Sequence, residues 1–147
     1  NVCQDMIILA NNVSSVNIEC GIDISKVNQC KKINGHIILR NEESIFNLKC
    51  MGRHACSQSS FIVETLETNY NIPLSRSIVS ECHGSYSCHD GSITYVNIPQ
   101  AHVICMDGNG CNNLEVTLSS NTNWNGILSV DCMSGDSVCK DISINAI

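Results

Sequence analysis

A chain of 147 residues with 43% hydrophobic residues and a formal net charge of −6 is long enough to bury one ordinary core and too apolar for wholesale disorder. Eight Lys and Arg against 14 Asp and Glu leave no basic run, which excludes nucleic-acid binding by phosphate neutralisation and offers little to an anionic membrane surface. Aromatic residues make up only 4%, and the apolar content is mostly Ile, Val and Leu, which suits small stacked strands better than a sandwich or a helical bundle.

In chain order, Cys3 comes first, followed by the strand-like run Met6-Ile7-Ile8-Leu9-Ala10. Asn12-Val13-Ser14 is an N-glycosylation sequon, making Asn12 a candidate acceptor. Val16 and Ile18 alternate ahead of Cys20, and a wide loop beginning with Gly21 leads to Cys30. Ile33, Ile37 and Leu39 follow, then Phe46 and Leu48 ahead of the loop Cys50–Cys56. After Cys56 the apolar series reads Phe61, Val63 and Leu66, as if about two residues were inserted at the loop. Residues 65–71 show a brief Glu and Leu periodicity, but Pro73 and the neighbouring Asn residues predict an extended return or a single turn. Ile78 and Ser80 precede the loop Cys82–Cys88, with Ser80 breaking the apolar pattern. Beyond it lie Ile93 and Tyr95, or the opposite phase through Val96 and Ile98, again with an apparent insertion, and Pro99 marks a turn. Ala101 and Val103 lead into the loop Cys105–Cys111, and Leu114, Val116 and Leu118 alternate after it. Residues 121–126 form another return, with Trp124 expected over a coil edge. Leu128 and Val130 precede the loop Cys132–Cys139, and Ile142, Ile144 and Ala146 close the chain.

The repeating unit is strand, cysteine loop, strand and Asn/Ser/Gly-rich return. First cysteines at 20, 50, 82, 105 and 132 give intervals of 30, 32, 23 and 27 residues. Period-two alternation at one offset from the second cysteine, at Met6, Ile8 and Ala10, at Leu114, Val116 and Leu118, and at Ile142, Ile144 and Ala146, indicates strands with one inward face. The expectation is an all-β chain: a parallel β-helix or solenoid of about five coils, forming a single segment over residues 1–147. One coil exposes an apolar face and unpaired backbone edges, and the next coil covers both. Helices are not expected anywhere.

Eleven cysteines point to an oxidising compartment. Their spacings, C-x5-C and C-x6-C, are not those of common zinc knuckles. The local pairs are Cys20 with Cys30, Cys50 with Cys56, Cys82 with Cys88, Cys105 with Cys111, and Cys132 with Cys139. Connectivity stays open from sequence, since stacked cysteines could instead bridge neighbouring coils. Cys3 is the odd one, reading as the second cysteine of a unit whose first half lies upstream, so it is expected unpaired or paired outside the segment. The segment reads as excised from, or continuing into, a longer repeat protein with no visible caps. Gly21, Gly52, Gly84, Gly108 and Gly135 sit one to three residues past a first cysteine, where a tight corner with positive φ is expected.

Candidate chemistry is sparse. Coil stacking could bring His54 near His83 as a metal pair, but no carboxylate repeats at that offset, and exposed loop histidines are the simpler reading. Asp90, Asp107, Asp131, Asp136 and Asp141 are the candidate carboxylates for a polysaccharide-cleaving groove, yet most belong to loops or positions beside cysteines and could be turn formers. Sugar stacking could draw only on Trp124, Tyr70, Tyr86 and Tyr95. Threonines share no offset, which argues against an ice-binding face, and Cys3 has no evident base to make it a nucleophile. No catalytic residue, metal or cofactor is expected, and the chain is not read as an enzyme.

The loops Cys50–Cys56 and Cys82–Cys88 share C-x-G-x-x-[AS]-C. This resembles the cysteine-rich β-helix repeats of large secreted or membrane-anchored surface proteins of protists such as ciliates and algae. Cys105–Cys111 and Cys132–Cys139 displace the glycine by one position, and the 20–30 loop is longer. The resemblance implies an extracellular or cell-surface, elongated, glycosylated protein and carries no catalytic residues. The expected role is a structural segment of an extracellular filament, coat or scaffold, with further copies or coils of the same protein as partners and no direct membrane insertion. The alternative is an adhesion or glycan-binding module of a secreted surface protein.

Overall fold

Alternating apolar residues become strands when each inward side chain finds another layer to pack on, and this chain supplies that layer by winding over itself. The computed structural model describes residues 3–21, 30–41, 43–66, 78–120, 126–135 and 137–147. Its strands are β1 (Ile7–Val13), β2 (Ser15–Cys20), β3 (Asn34–Leu39), β4 (Ile45–Met51), β5 (Ser60–Thr65), β6 (Ile78–His83), β7 (Ser92–Val96), β8 (Gln100–Met106), β9 (Glu115–Ser119), β10 (Ile127–Met133) and β11 (Ser143–Ala146). Odd-numbered strands form one parallel sheet in the order β1-β3-β5-β7-β9-β11, and even-numbered strands form a second in the order β10-β8-β6-β4-β2. The fold is the expected all-β parallel solenoid, with two sheets per coil. Each coil runs from a first-sheet strand through a return into a second-sheet strand, then around a cysteine loop. No helix occurs among the described residues, and none is long and apolar enough to cross a membrane. Residues 67–77 and 121–125, including Trp124, lie outside the described residues, as does Asp136.

The strands stack in straight register, so each inward position becomes a column along the axis. In the first sheet one column holds Ile8, Gly35, Phe61, Ile93, Val116 and Ile144. This corrects two expectations. Phe61 and Ile93 align directly with Val116, so neither loop carries an insertion. What looked like an insertion is a loss of apolarity at the position before the strand, where Ser59 and Gly91 stand in place of Ile33 and Leu114. Ser59 is buried and satisfied: its Oγ accepts a hydrogen bond from the Ile33 N–H (3.0 Å) and donates to the Cys30 carbonyl (3.4 Å). The inward residue after Val63 is Thr65, not Leu66; Thr65 is buried with Oγ1 donating to the Asn97 carbonyl at 2.8 Å, while Leu66 points to solvent.

Column neighbours compensate for one another in size and polarity. A Cβ on Gly35 would lie 2.5 Å from Phe61 Cδ1, so the glycine makes room for the ring of the next coil. In the second sheet, Ser80 interrupts a column of Ile18, Leu48, Val103 and Val130. Its hydroxyl lies 2.8 Å from the Tyr95 hydroxyl across the core, both groups fully buried. Two polar residues that each break an apolar pattern therefore satisfy one another, and the phase through Ile93 and Tyr95 is the inward one. Burial pushes the Tyr95 phenol well above its usual range, only partly offset by the Ser80 hydrogen bond.

Candidate functional site

The cysteine loops run down one edge of the solenoid. First cysteines at the ends of the second-sheet strands share one column, with Cys20 on Cys50, Cys50 on Cys82, Cys82 on Cys105 and Cys105 on Cys132. Four loops are closed by disulfides, Cys50–Cys56, Cys82–Cys88, Cys105–Cys111 and Cys132–Cys139, with Cα atoms 5.7, 5.8, 5.8 and 6.1 Å apart. All four lie within one loop rather than between coils. The rungs are close-stacked: the sulfurs of Cys50, Cys82 and Cys88 lie within 4.8 Å of one another, all buried.

A second ladder binds the same edge and has no apolar signature. Two residues past each second cysteine stand Asp5, Lys32, Gln58, Asp90, Asn113 and Asp141, every one with φ between 54° and 58°. The left-handed turn aims their amides along the axis. Asp5 donates to the Lys31 carbonyl, Lys32 to Ser57, Gln58 to His89, Asp90 to Asn112 and Asn113 to Lys140, at 2.8–3.2 Å. Asp and Asn tolerate this conformation best, and they fill four of the six places. A polar residue at a fixed offset in every copy was the signal that could have revealed it. The glycine corners hold at Gly21, Gly52, Gly84 and Gly135, all at positive φ. Gly108 departs from them: Asp107 and Asn109 on either side take the positive φ instead.

The His54 ring stacks on Tyr86 with centroids 5.2 Å apart, and His89 packs edge-on against the same Tyr86 at 5.4 Å. His83 Nε2 lies 3.2 Å from Glu81 Oε2, so His54 and His83, which stacking could have paired although loop histidines were the simpler reading, take separate partners. Burial, reinforced by the positive charge of Arg53 and Lys31, lowers the His54 pKa. His36 pairs with Glu64 across two coils at 3.0 Å, and His102 with Asp131 at 2.8 Å. Asp90, Asp107 and Asp141 all occupy positive-φ turn positions, as turn formers should. Asp90 and Asp141, with Gln58, Asn113 and Glu115, line an open groove of about 580 Å³ along the cysteine-loop edge. Within it the Asn113 Nδ2 donates to Asp90 Oδ1 at 2.8 Å.

At the amino-terminal end the ladder changes character. Cys20 and Cys30, expected to close the first loop, stand as two buried thiols, and Cys3 as an exposed one. The Asp5–Lys31 hydrogen bond and a second from the Asn34 N–H to the Met6 carbonyl (2.9 Å) seat the Cys3 segment on the coil that carries Cys30. The Cys30 sulfur therefore has two cysteine neighbours, Cys20 across its own loop and Cys3 on the adjoining coil. Hydrogen bonding to Cys20, opposed by burial and assisted by Cys3, favours its thiolate and pulls Cys30 down to about 7. Cys20 is pushed far up, by donating to Cys30 and by burial, and Cys3 is raised chiefly by the charge on Cys30.

In the first and last coils the inward positions are only partly covered. Ile144 stands in the column of Val116, which is fully buried, yet is itself 54% exposed. Leu128 and Val130 are likewise only partly covered. At the other end Met6, Ile8 and Ala10 are half-buried, and Ile7 and Leu9 on the outer face are 70% and 78% exposed. Asn12 is exposed on β1, at an irregularity in its pairing with β3. Comparison of this chain with known protein families, characterised proteins and solved structures finds no match.

Proposed function

We propose that this chain is a structural segment of an extracellular filament, coat or cell-surface scaffold, built by adding β-coils to its open ends, and that it performs no catalysis. The observation carrying this reading is the parallel register in which each coil stacks on the next, a geometry that joins β9 to β11 and that a further coil over Ile144 would repeat. Among the described residues the first sheet has one strand more than the second, so in such an assembly β11 and β1 would make the first contact, with Ile144 over Ile8 and Ala146 over Ala10. Covering one such side chain contributes roughly 1 kcal/mol, and the ladder hydrogen bonds add direction. The added coils are further coils of the same protein or a second copy. The disulfide rungs favour an oxidising exterior, the resemblance to protist surface proteins points the same way, and exposed Asn12 suits a glycan.

Sedimentation velocity tests the reading. The wild-type chain associates as its concentration rises, whereas Ile144→Lys, which sets an ammonium in the joint, stays a folded monomer. A wild-type chain that remains monomeric at every concentration, or an Ile144→Lys variant that associates equally, contradicts it.

The groove favours a second reading, glycan-binding adhesion, since its hydroxyls, amides and carboxylates repeat at strand spacing. Titration with linear oligosaccharides decides it: binding lost in Asn113→Ala would support adhesion, and an absence of binding would end it.

A further inference from the structure

Four cysteine loops are closed, and the fifth holds three reduced sulfurs in a row instead of two. Among the described residues the only trio of ligand atoms converging within 4.8 Å is Cys50, Cys82 and Cys88. Cys3, Cys20 and Cys30 therefore do not close into a triangle around a common point; Cys30 has Cys20 across its own loop and Cys3 on the adjoining coil, seated there by the Asp5–Lys31 and Asn34–Met6 backbone hydrogen bonds. Their access to solvent differs sharply. Cys20 and Cys30 are 1% and 5% exposed, closed to a bulky reagent, while Cys3 is open to solvent and tied by backbone hydrogen bonds to the Cys30 coil.

We propose that Cys3 is a relay thiol: it takes up oxidising equivalents from a small-molecule disulfide such as oxidised glutathione and passes them inward through Cys30 to close the buried Cys20–Cys30 rung. The Cys3 thiolate attacks one sulfur of the glutathione disulfide, releasing one glutathione thiolate and leaving a mixed disulfide on Cys3. The Cys30 thiolate attacks Cys3 Sγ and expels the second glutathione thiolate, forming Cys3–Cys30. The Cys20 sulfur, its proton passing to solvent, then attacks Cys30 Sγ, and the electron pair of the Cys3–Cys30 bond returns to Cys3. Two protein thiols have become one disulfide, one glutathione disulfide has become two thiols, and Cys3 emerges as it began. A Cys30 sulfur already biased toward thiolate is suited to the second step.

The relay does not depend on end-to-end assembly, and its test is separate. The full chain, with the four closed rungs intact and Cys3, Cys20 and Cys30 reduced, is exposed to oxidised glutathione, quenched with N-ethylmaleimide and cleaved before Asp5 and Asp23. That cleavage places Cys3, Cys20 and Cys30 on three different peptides. In the wild type, Cys20–Cys30 accumulates through a transient Cys3–Cys30 species. Cys3→Ser reaches the same end state about tenfold or more slowly. Cys20→Ser halts with Cys3–Cys30 as the stable product, and Cys30→Ser halts with glutathione on Cys3. Circular dichroism and the four intact rungs report that each variant is folded. Closure at the wild-type rate in Cys3→Ser overturns the relay, as does a folded Cys20→Ser in which Cys3 and Cys30 never join.

Discussion

Ser80 and Tyr95 each break the apolar pattern of their own strand and are understood only as a pair, because the coil brings their hydroxyls to 2.8 Å inside the buried core. Tyr95→Phe strands the Ser80 hydroxyl and is expected to cost about 1–3 kcal/mol; Ser80→Ala strands the phenol at a similar cost. The double variant should cost clearly less than the sum of the two, which urea denaturation of all four proteins measures. A strictly additive cycle would deny the pairing. His54 gives a pH dependence of known sign. Its pKa lies below the unfolded value, so the unfolded chain binds the proton first. The His54 contribution is therefore fully present above pH ~6.5 and is lost as pH falls from there through the folded pKa. Thermal midpoints from pH 7.5 to 5 should fall less steeply in His54→Asn, whose asparagine accepts the positive φ of that position. Side-chain pairs such as these were illegible in the sequence, which shows that Ser80 is polar and Tyr95 aromatic but not that they face each other.

Loops and strands were more readable, with informative errors. The offset from second cysteine to first inward residue is constant, but it is masked wherever that residue is Ser59 or Gly91 and not an aliphatic side chain. The two glycine environments can be separated experimentally. Gly84 has φ 103° and a Cβ there would come 3.0 Å from the Gly52 backbone, so Gly84→Ala is expected to cost about 1–3 kcal/mol. Gly108 has open space around it and no positive φ, and Gly108→Ala should stay within about 0.5 kcal/mol of wild type. Chemical denaturation compares them directly. Opening one rung with Cys82→Ala and Cys88→Ala removes a seven-residue closure and should cost roughly 2 kcal/mol, with an added cavity cost because both sulfurs are buried. The left-handed ladder from Asp5 to Asp141 went unread because its sequence signal is only a polar residue at a fixed offset, filled by side chains as different as Lys32 and Asn113.

At the scale of the whole molecule, the solenoid followed from the cysteine repeat and from alternation at one offset, both of which survive variation in loop length. The number of sheets per coil did not, because it depends on where the returns bend, and the returns lack a common sequence. The first loop departs from the others at this scale: Cys20 and Cys30 stand as free thiols, and coil stacking sets Cys3 on the coil that carries Cys30. The proposed assembly depends on the first and last coils, where inward residues such as Ile8 and Ile144 are only partly covered. Electron microscopy of the concentrated wild-type chain is the most direct measurement of that claim. Six first-sheet strands at about 4.8 Å spacing make one copy roughly 30 Å long, so the images should show rods of constant width whose lengths step by that increment. Particles of a single length, or assemblies that widen without lengthening, would contradict it.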